Sequence, residues 1–170
     1  LVASKKSAQL APEDAEAHSN LGVTLHQLGR LDEAEASLRQ ATALKWGYAD
    51  AHNNLSVTLK EQGRLEEAEA SCRQAIALKP DYAEAHNNLG TMLKDLGRSE
   101  EAESSYSQAI ALKPDYAGAY ANMALALSGK VFKEPNPEIQ TIITSILNHK
   151  RYVRPKDISK AAISLLKCEP

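Results

Sequence analysis

The stretch ADAHNNLSVTLKEQGRLEEAEASCRQAIALKPDY, residues 49–82, is followed without a gap by AEAHNNLGTMLKDLGRSEEAESSYSQAIALKPDY, residues 83–116. Both are 34 residues long and align over their whole length. Another copy occupies residues 15–48, and residues 117–128 begin a further one. A fixed period of about 20 to 50 residues indicates a repeat architecture. We therefore predict a repeat array, in which residues 1–14 are the end of a truncated preceding copy.

Each copy is predicted to form two helices. Ala51, Leu55 and Leu59 recur at the spacing of one helical face, and the second half of the copy has the same spacing. A Gly-Arg pair lies between the halves. Glycine can take the left-handed conformation that ends a helix, so we expect the first helix of each copy to end there. The glycines of these pairs are Gly29, Gly63 and Gly97. We expect the second helices to end before Pro80 and Pro114.

The copies resemble the tetratricopeptide repeat family, whose pattern has large residues, Leu-Gly, Ala, an aromatic residue and Pro at fixed offsets. In residues 83–116 the matching residues are His86, Leu89, Gly90, Leu93, Ala102, Tyr106 and Pro114. In residues 15–48 they are His18, Leu21, Gly22, Leu25, Ala34 and Leu38. The resemblance covers residues 1–128. It implies an all-α fold, a right-handed α-solenoid of antiparallel helix pairs.

Three local features carry separate expectations. Ser56 replaces the glycine at which paired helices approach, and serine is small enough to fit. Trp46 stands where the other copies have proline, so we expect the turn to depend on Gly47 and the indole ring to be packed under apolar cover. The alternatives for Trp46 are an engineered change or a contact surface. Asp81 with Glu84 is expected to form a capping box at the start of the next helix.

An asparagine recurs at the sixth position of every copy, as Asn20, Asn54, Asn88 and Asn122. Asparagine is a poor residue for the middle of a helix, and its amide offers donors and an acceptor that suit a peptide backbone. The row resembles the asparagine ladder inside the superhelix of O-linked N-acetylglucosamine transferases. That resemblance implies a grip on extended peptide backbones. Two alternatives remain: bonds between neighbouring helices, or recent duplication of one repeat.

Stacked hairpins curve, and the first helix of each copy is expected to line the concave face. Further candidate ligand-binding residues on this face are Asn53, Asn87, Lys60 and Lys94. The carboxylate-clamp subset of the family, which binds acidic chaperone C-termini, needs Lys or Arg at groove positions. Uncharged residues such as Ser19 hold those positions here, which disfavours that class of partner.

We predict no catalytic residue, no metal site and no cofactor. His18, His52 and His86 occur once per repeat, roughly 8 to 10 Å apart, whereas metal ligands lie about 2 Å from one ion. These histidines are expected to fill a structural position, and Cys72 is expected to be a small buried hydrophobe. The net charge of −2 argues against nucleic acid, and no apolar run is long enough to span a membrane.

Residues 129–170 are predicted to leave the repeat pattern and form a C-terminal helical hairpin. Val131 and Phe132 stand where the next Gly-Arg turn is due, and a proline-punctuated break follows. We expect one helix from Pro137 to about His149 and another from Pro155 to Lys167. The hairpin is expected either to cap the apolar end of the solenoid or to begin a further domain.

The leading hypothesis is a cytoplasmic scaffold that binds a protein or an extended peptide and is not an enzyme. Nucleic acid and membranes are not expected partners. One alternative is the substrate-recruiting N-terminal arm of a larger bacterial transferase, of glycosyltransferase or sulfotransferase type. Another is a self-assembling array, because the ends of a repeat stack expose apolar surface.

Overall fold

The computed structural model describes residues 1–128, 130–131, 133–134, 136–148 and 155–166. Within these residues it contains helices and no strand, so the expected all-α repeat fold is confirmed. The helices are α1 (Val2–Leu10), α2 (Ala15–Gln27), α3 (Leu31–Leu44), α4 (Ala49–Glu61), α5 (Leu65–Leu78), α6 (Ala83–Asp95), α7 (Ser99–Leu112), α8 (Ala117–Leu127), α9 (Pro137–Asn148) and α10 (Pro155–Leu166).

The helices pack in hairpins that stack in chain order. The pairs are α2 with α3, α4 with α5, and α6 with α7, and each hairpin contacts the next through α3–α4, α5–α6 and α7–α8. The first helices α2, α4, α6 and α8 also contact one another in sequence. One apolar core therefore runs along the stack, from Leu38 to Ala161.

The turns inside the hairpins depend on glycine. Gly29, Gly63 and Gly97 have φ angles of 70°, 79° and 77°. The following amide, as in Arg30, donates to the carbonyl of Leu25 and closes the helix end. A residue with a Cβ would be strained in this conformation. The expectation from the Gly-Arg pairs is confirmed.

The turn after α3 does not depend on the conformational freedom of Gly47. Gly47 has no positive φ angle, and α3 ends at Leu44, the residue that corresponds to Leu78 at the end of α5. The expectation for Gly47 was wrong, because the helix ends at the same point with or without the proline. Trp46 follows in the turn with its side chain 82% exposed, so the expectation of a packed ring was also wrong.

The expected capping box at Asp81 is absent. Tyr82 is the N-cap of α6 and no side chain caps this helix, so Asp81 lies one residue too early. The Tyr82 ring instead lies under the Lys79 ammonium, 4.5 Å from its centroid. At the corresponding position before α2, Asp14 does accept hydrogen bonds from the amides of Glu16 and Ala17.

Each hairpin has a point of closest approach where a small residue faces a side chain of variable size. A Cβ added to Gly22 would lie 2.6 Å from Leu38 Cγ. A Cβ on Gly90 would lie 2.6 Å from Tyr106 Cε1. In the middle hairpin Ser56 fits, as expected, because the residue that corresponds to Leu38 and Tyr106 is the smaller Cys72.

The C-terminal helices cover the last repeat helix. Ile139, Ile143, Ile146 and Ile158 belong to the same core cluster as the apolar residues of α8, and α10 packs against both α8 and α9. The Tyr120 hydroxyl lies 3.0 Å from the Ser145 hydroxyl. The expected helix ends at His149 and Lys167 lie outside the described residues.

Candidate functional site

Four asparagines lie on the four successive first helices of the stack. We call the surface of α2, α4, α6 and α8 that carries Asn20, Asn54, Asn88 and Asn122 the ladder face. Asn20 is exposed, and the other three are half-buried. Each of these helices contacts the next, so the amides occupy successive steps along one stack.

Two of the four amides are hydrogen-bonded between helices. Asn88 Nδ2 donates to Asn53 Oδ1 at 3.0 Å, and Asn122 Nδ2 donates to Asn87 Oδ1 at 2.9 Å. Each bond joins a first helix to the first helix of the preceding hairpin. The alternative that the asparagines bond between neighbouring helices therefore holds for Asn88 and Asn122.

Asn53 and Asn87 are the buried members of these pairs, each only 7% exposed. The Tyr82 hydroxyl approaches Asn53 and Asp50, and burial together with the Asp50 carboxylate raises the pKa of Tyr82. Burial likewise raises the pKa of Tyr116, whose hydroxyl approaches Asn87. Asn53 and Asn87 thus each connect one first helix to the next.

Asn20 and Asn54 differ from the other two members of the row. Ser19 stands where the later copies have the buried asparagine, so Asn54 lacks the partner that Asn88 and Asn122 have. Among the described residues, neither Asn20 nor Asn54 makes a side-chain hydrogen bond; only their backbone carbonyls accept, from Thr24 and Thr58. The amides at this end of the ladder face remain available for other partners.

The lysines predicted on this face have unlike surroundings. Lys60 Nζ lies 3.4 Å from Asp95 Oδ2 of the next first helix, and His26 Nε2 lies 3.1 Å from Glu61 Oε1 one step earlier. Lys94 is exposed and forms no ion pair with the described residues. Lys60 therefore links two helices, whereas Lys94 keeps its charge free.

The outer helices carry a repeated arginine–glutamate network. Arg64 donates to Glu35 of the preceding hairpin and to Glu67 in the first turn of α5, both at 2.6 Å. Burial opposes ionisation of Glu35, but the bonds from Arg64 and Arg39 outweigh it and lower the pKa of Glu35 to about 2. This network joins hairpins through charge-assisted bonds. It gives no acid/base couple.

The histidines are placed as structural residues. His18 Nε2 is 3.0 Å from the carbonyl oxygen of Pro12, and His86 Nε2 is 3.0 Å from that of Pro80. Burial lowers the pKa of His52. Within the described part of the chain, no three His, Cys, Asp or Glu residues are grouped so that they could hold a metal ion. No described helix combines the length and apolarity needed to cross a bilayer.

A small cavity opens beside Asn54, and the sequence analysis did not single it out. Its volume is about 130 Å³. It is lined by Val23, His26, Leu38, Asn54, Val57 and Thr58. The available signal was the comparison of equivalent positions, because Thr58 stands where the next copy has the larger Met92.

Stacked helical hairpins that present a row of polar side chains define the class of repeat scaffolds built for contact with other molecules. Two models of the tetratricopeptide repeat match the sequence, one at residues 3–49 and the other at residues 47–115. Together they cover more than half of the chain. The chain belongs to the tetratricopeptide repeat family.

Solved structures share the fold. A crystal structure of MamA protein is 26% identical, with a TM-score of 0.72 over 88% of this chain and 80% of that chain. YrrB, described as a TPR protein with an unusual peptide-binding site, is 18% identical, with a TM-score of 0.74 over 96% and 84%. A mutant of the Thermobaculum terrenum O-GlcNAc transferase is 24% identical, with a TM-score of 0.69 over 83% of this chain and 26% of that chain. No curated protein matches the chain in sequence.

Proposed function

We propose that this chain is a protein-binding scaffold that holds an extended peptide segment along the ladder face. The observation that carries the proposal is the amide row itself, repeated on four successive first helices and accessible at Asn20 and Asn54. A primary amide can donate to a peptide carbonyl and accept from a peptide N–H. Family membership supports an interaction module, and the peptide-binding site of YrrB supports a peptide ligand on this fold.

The amides at the two ends of the face would serve the ligand differently. Asn20 and Asn54 offer all their hydrogen-bonding groups, whereas Asn88 and Asn122 each already donate one N–H to the preceding first helix. A primary amide has a second N–H and an oxygen with two lone pairs, so these two residues can still bind a backbone. We infer that Asn20 and Asn54 contribute most to affinity.

The experiment measures binding to an array of unrelated peptides that are acetylated, amidated and about ten residues long. Replacing both Asn20 and Asn54 with alanine should weaken binding to peptides of all sequences, because backbone recognition does not depend on side chains. The chain offers a matched control on its outer helices, where exposed amides recur with the same period. These are Gln40, Gln74 and Gln108.

Replacing these glutamines with alanine should leave peptide binding unchanged. Equal binding by the asparagine variant, the glutamine variant and the unmodified chain would refute the proposal, provided that circular dichroism shows all three folded. The likeness to the transferase, at 24% identity, concerns the fold alone and adds nothing to the choice of ligand.

Self-association is a second candidate function, favoured by one observation. Val2 and Leu10 of α1 are 82% and 75% exposed, so this helix presents apolar side chains to solvent. Exposed apolar surface at the end of a repeat stack promotes association. The molecular mass measured over a dilution series should then fall towards that of a monomer when both residues are replaced with glutamate. A monomer at every concentration would exclude this function.

A further inference from the structure

The cavity beside Asn54 lies between the first two complete hairpins. Leu38 and Thr58 form its floor, since both side chains are fully buried. Val23, Val57 and Asn54 are partly exposed, so they form the rim, and the cavity opens on the ladder face. Val23, Val57 and Leu38 give it a mainly aliphatic lining, with the His26 ring beside them, and this lining suits an apolar group.

The cavity exists because one copy has a shorter side chain than the next. Met92 stands 34 residues after Thr58 and is fully buried. Thr58 is shorter than methionine, and its hydroxyl turns back to the carbonyl of Asn54 at 3.0 Å, so a methionine at position 58 would extend into the cavity. The fold therefore accommodates methionine at this position of a hairpin.

The size of the cavity selects a class of occupant. An apolar cavity of roughly 150 Å³ accepts a molecule of the size of benzene. The present volume of about 130 Å³ therefore suits a single small aliphatic side chain. The Asn54 amide at the rim has no side-chain partner among the described residues, so it is free to bind the backbone of the residue whose side chain enters.

The two first helices that border the cavity, α2 and α4, carry more acidic side chains than lysines or arginines. Glu16 and Asp50 lie in the first turns of α2 and α4 and are exposed, whereas Glu61, at the end of α4, lies 3.1 Å from His26 Nε2. Helix α2 contains no lysine or arginine, and Lys60 of α4 is paired with Asp95. A peptide with basic residues beside the inserted side chain would complement this charge.

We propose that the cavity binds one valine-sized side chain of an extended basic peptide, while Asn54 hydrogen-bonds the backbone at that residue. The inference rests on the proposed function, since it names a side-chain subsite on the same ladder face. It adds a preference for sequence to a face whose amides recognise only backbone.

The test uses two synthetic peptides, acetylated and amidated: Gly-Lys-Val-Lys-Gly and a version with glycine in place of valine. Binding is followed by NMR titration of ¹³C-labelled valine methyl groups, which reports both affinity and contact at Val23 and Val57. We expect the valine peptide to bind about tenfold more tightly, because burial of a valine side chain is worth that factor or more. A version with glutamate in place of lysine should bind several-fold more weakly at low salt.

Two variants separate the subsite from the ladder. Thr58→Met should remove the preference for valine and leave binding of the glycine peptide unchanged, whereas Asn54→Ala should weaken both peptides equally. If Thr58→Met proves misfolded by circular dichroism, Val57→Leu narrows the rim instead and should reduce the preference in the same way.

The possible failures are distinguishable. A preference for valine that survives both Thr58→Met and Val57→Leu overturns the subsite but leaves the proposed function in place. Valine methyl signals that move with neither peptide also overturn the subsite, and equal affinity of the lysine and glutamate peptides overturns its charge preference. Only the absence of peptide-array binding by the unmodified chain, or array binding that the asparagine substitutions do not change, overturns the proposed function itself.

Discussion

Replacing Gly90 with alanine tests the close approach inside the third hairpin. The new Cβ would lie 2.6 and 2.7 Å from two ring carbons of Tyr106 and 3.0 Å from the carbonyl oxygen of Ala102. Carbon atoms at optimal separation are about 3.5–4.0 Å apart. The ring must therefore withdraw by nearly 1 Å, although it is fully buried in the core.

The expected magnitude follows from two opposing effects. Overpacking of a core costs about 1–3 kcal/mol, and the backbone contact with Ala102 places this site at the upper end of that range. Alanine recovers about 1 kcal/mol through its higher helix propensity. We expect a net loss of about 2 kcal/mol in the free energy of unfolding. The midpoint of thermal unfolding should then fall by about 4–8 °C.

The same substitution at Gly118 is the matched control. Gly118 is exposed in α8, and its Cβ would meet only the ring edge of Tyr116, at 3.2 Å. Gly118→Ala should therefore raise stability by up to about 1 kcal/mol. Denaturation by urea and by heat, followed by circular dichroism, measures both variants. A Gly90→Ala variant as stable as Gly118→Ala would refute the packing argument.

A double variant tests whether the two facing residues act as a pair. Gly90→Ser combined with Tyr106→Cys reproduces the combination that the second hairpin already has in Ser56 and Cys72. The loss in the double variant should be smaller than the sum of the two single losses, by about 0.5–3 kcal/mol. Strictly additive losses would mean that the two facing residues contribute independently to stability.

Three further predictions concern other parts of the stack. Trp46→Pro should leave stability unchanged or raise it by about 0.4–1 kcal/mol in thermal unfolding, because proline stands at this point in other copies. In the unmodified chain, acrylamide should quench the fluorescence of Trp46 readily, and an indole ring protected from quenching would contradict its 82% exposure. The pKa of Glu35 lies below its unfolded value, so the stabilisation by Glu35 is present above about pH 4.5 and is lost as the pH falls towards 2. In Glu35→Gln the unfolding free energy should fall less over that pH range, by about 1–2 kcal/mol, a magnitude kept small because Arg64 is partly exposed. An unchanged slope would contradict the lowered pKa of Glu35. Asn87→Ala should cost about 1–2 kcal/mol in urea denaturation because it removes a buried amide and leaves half-buried Asn122 without its acceptor. Asn54→Ala should cost less than about 0.5 kcal/mol, and equal losses would argue against the difference between the two amides.

Periodicity and turn residues were enough to predict the helical hairpins. Gly29, Gly63 and Gly97 end the first helices with a positive φ angle, which glycine adopts without strain. The recurring glycine makes this turn recognisable in the sequence. The end of α3 at Leu44 shows that proline was not needed as a further signal. Tryptophan in place of proline at position 46 therefore leaves the helix boundary unchanged.

The surroundings of individual side chains were harder to predict. Asn53 and Asn88 are 35 residues apart, and the bond between them depends on the rotation of α4 relative to α6, which a repeat period does not specify. Position in the repeat predicted that Asn54 and Asn88 would share a face. It did not predict that Asn88 would be hydrogen-bonded to the preceding helix and Asn54 would not, because that difference arises from Ser19 in a neighbouring copy.

The three facing pairs, glycine with leucine, serine with cysteine and glycine with tyrosine, bear on how such an array can be rebuilt. The two helices of one hairpin fit each other, so an exchange of second helices would bring Tyr106 against Ser56. Whole hairpins carry both members of a fitted pair and can be copied, deleted or transplanted together. Recombination that breaks the chain between hairpins should therefore yield folded arrays far more often than recombination at Gly63 or Gly97.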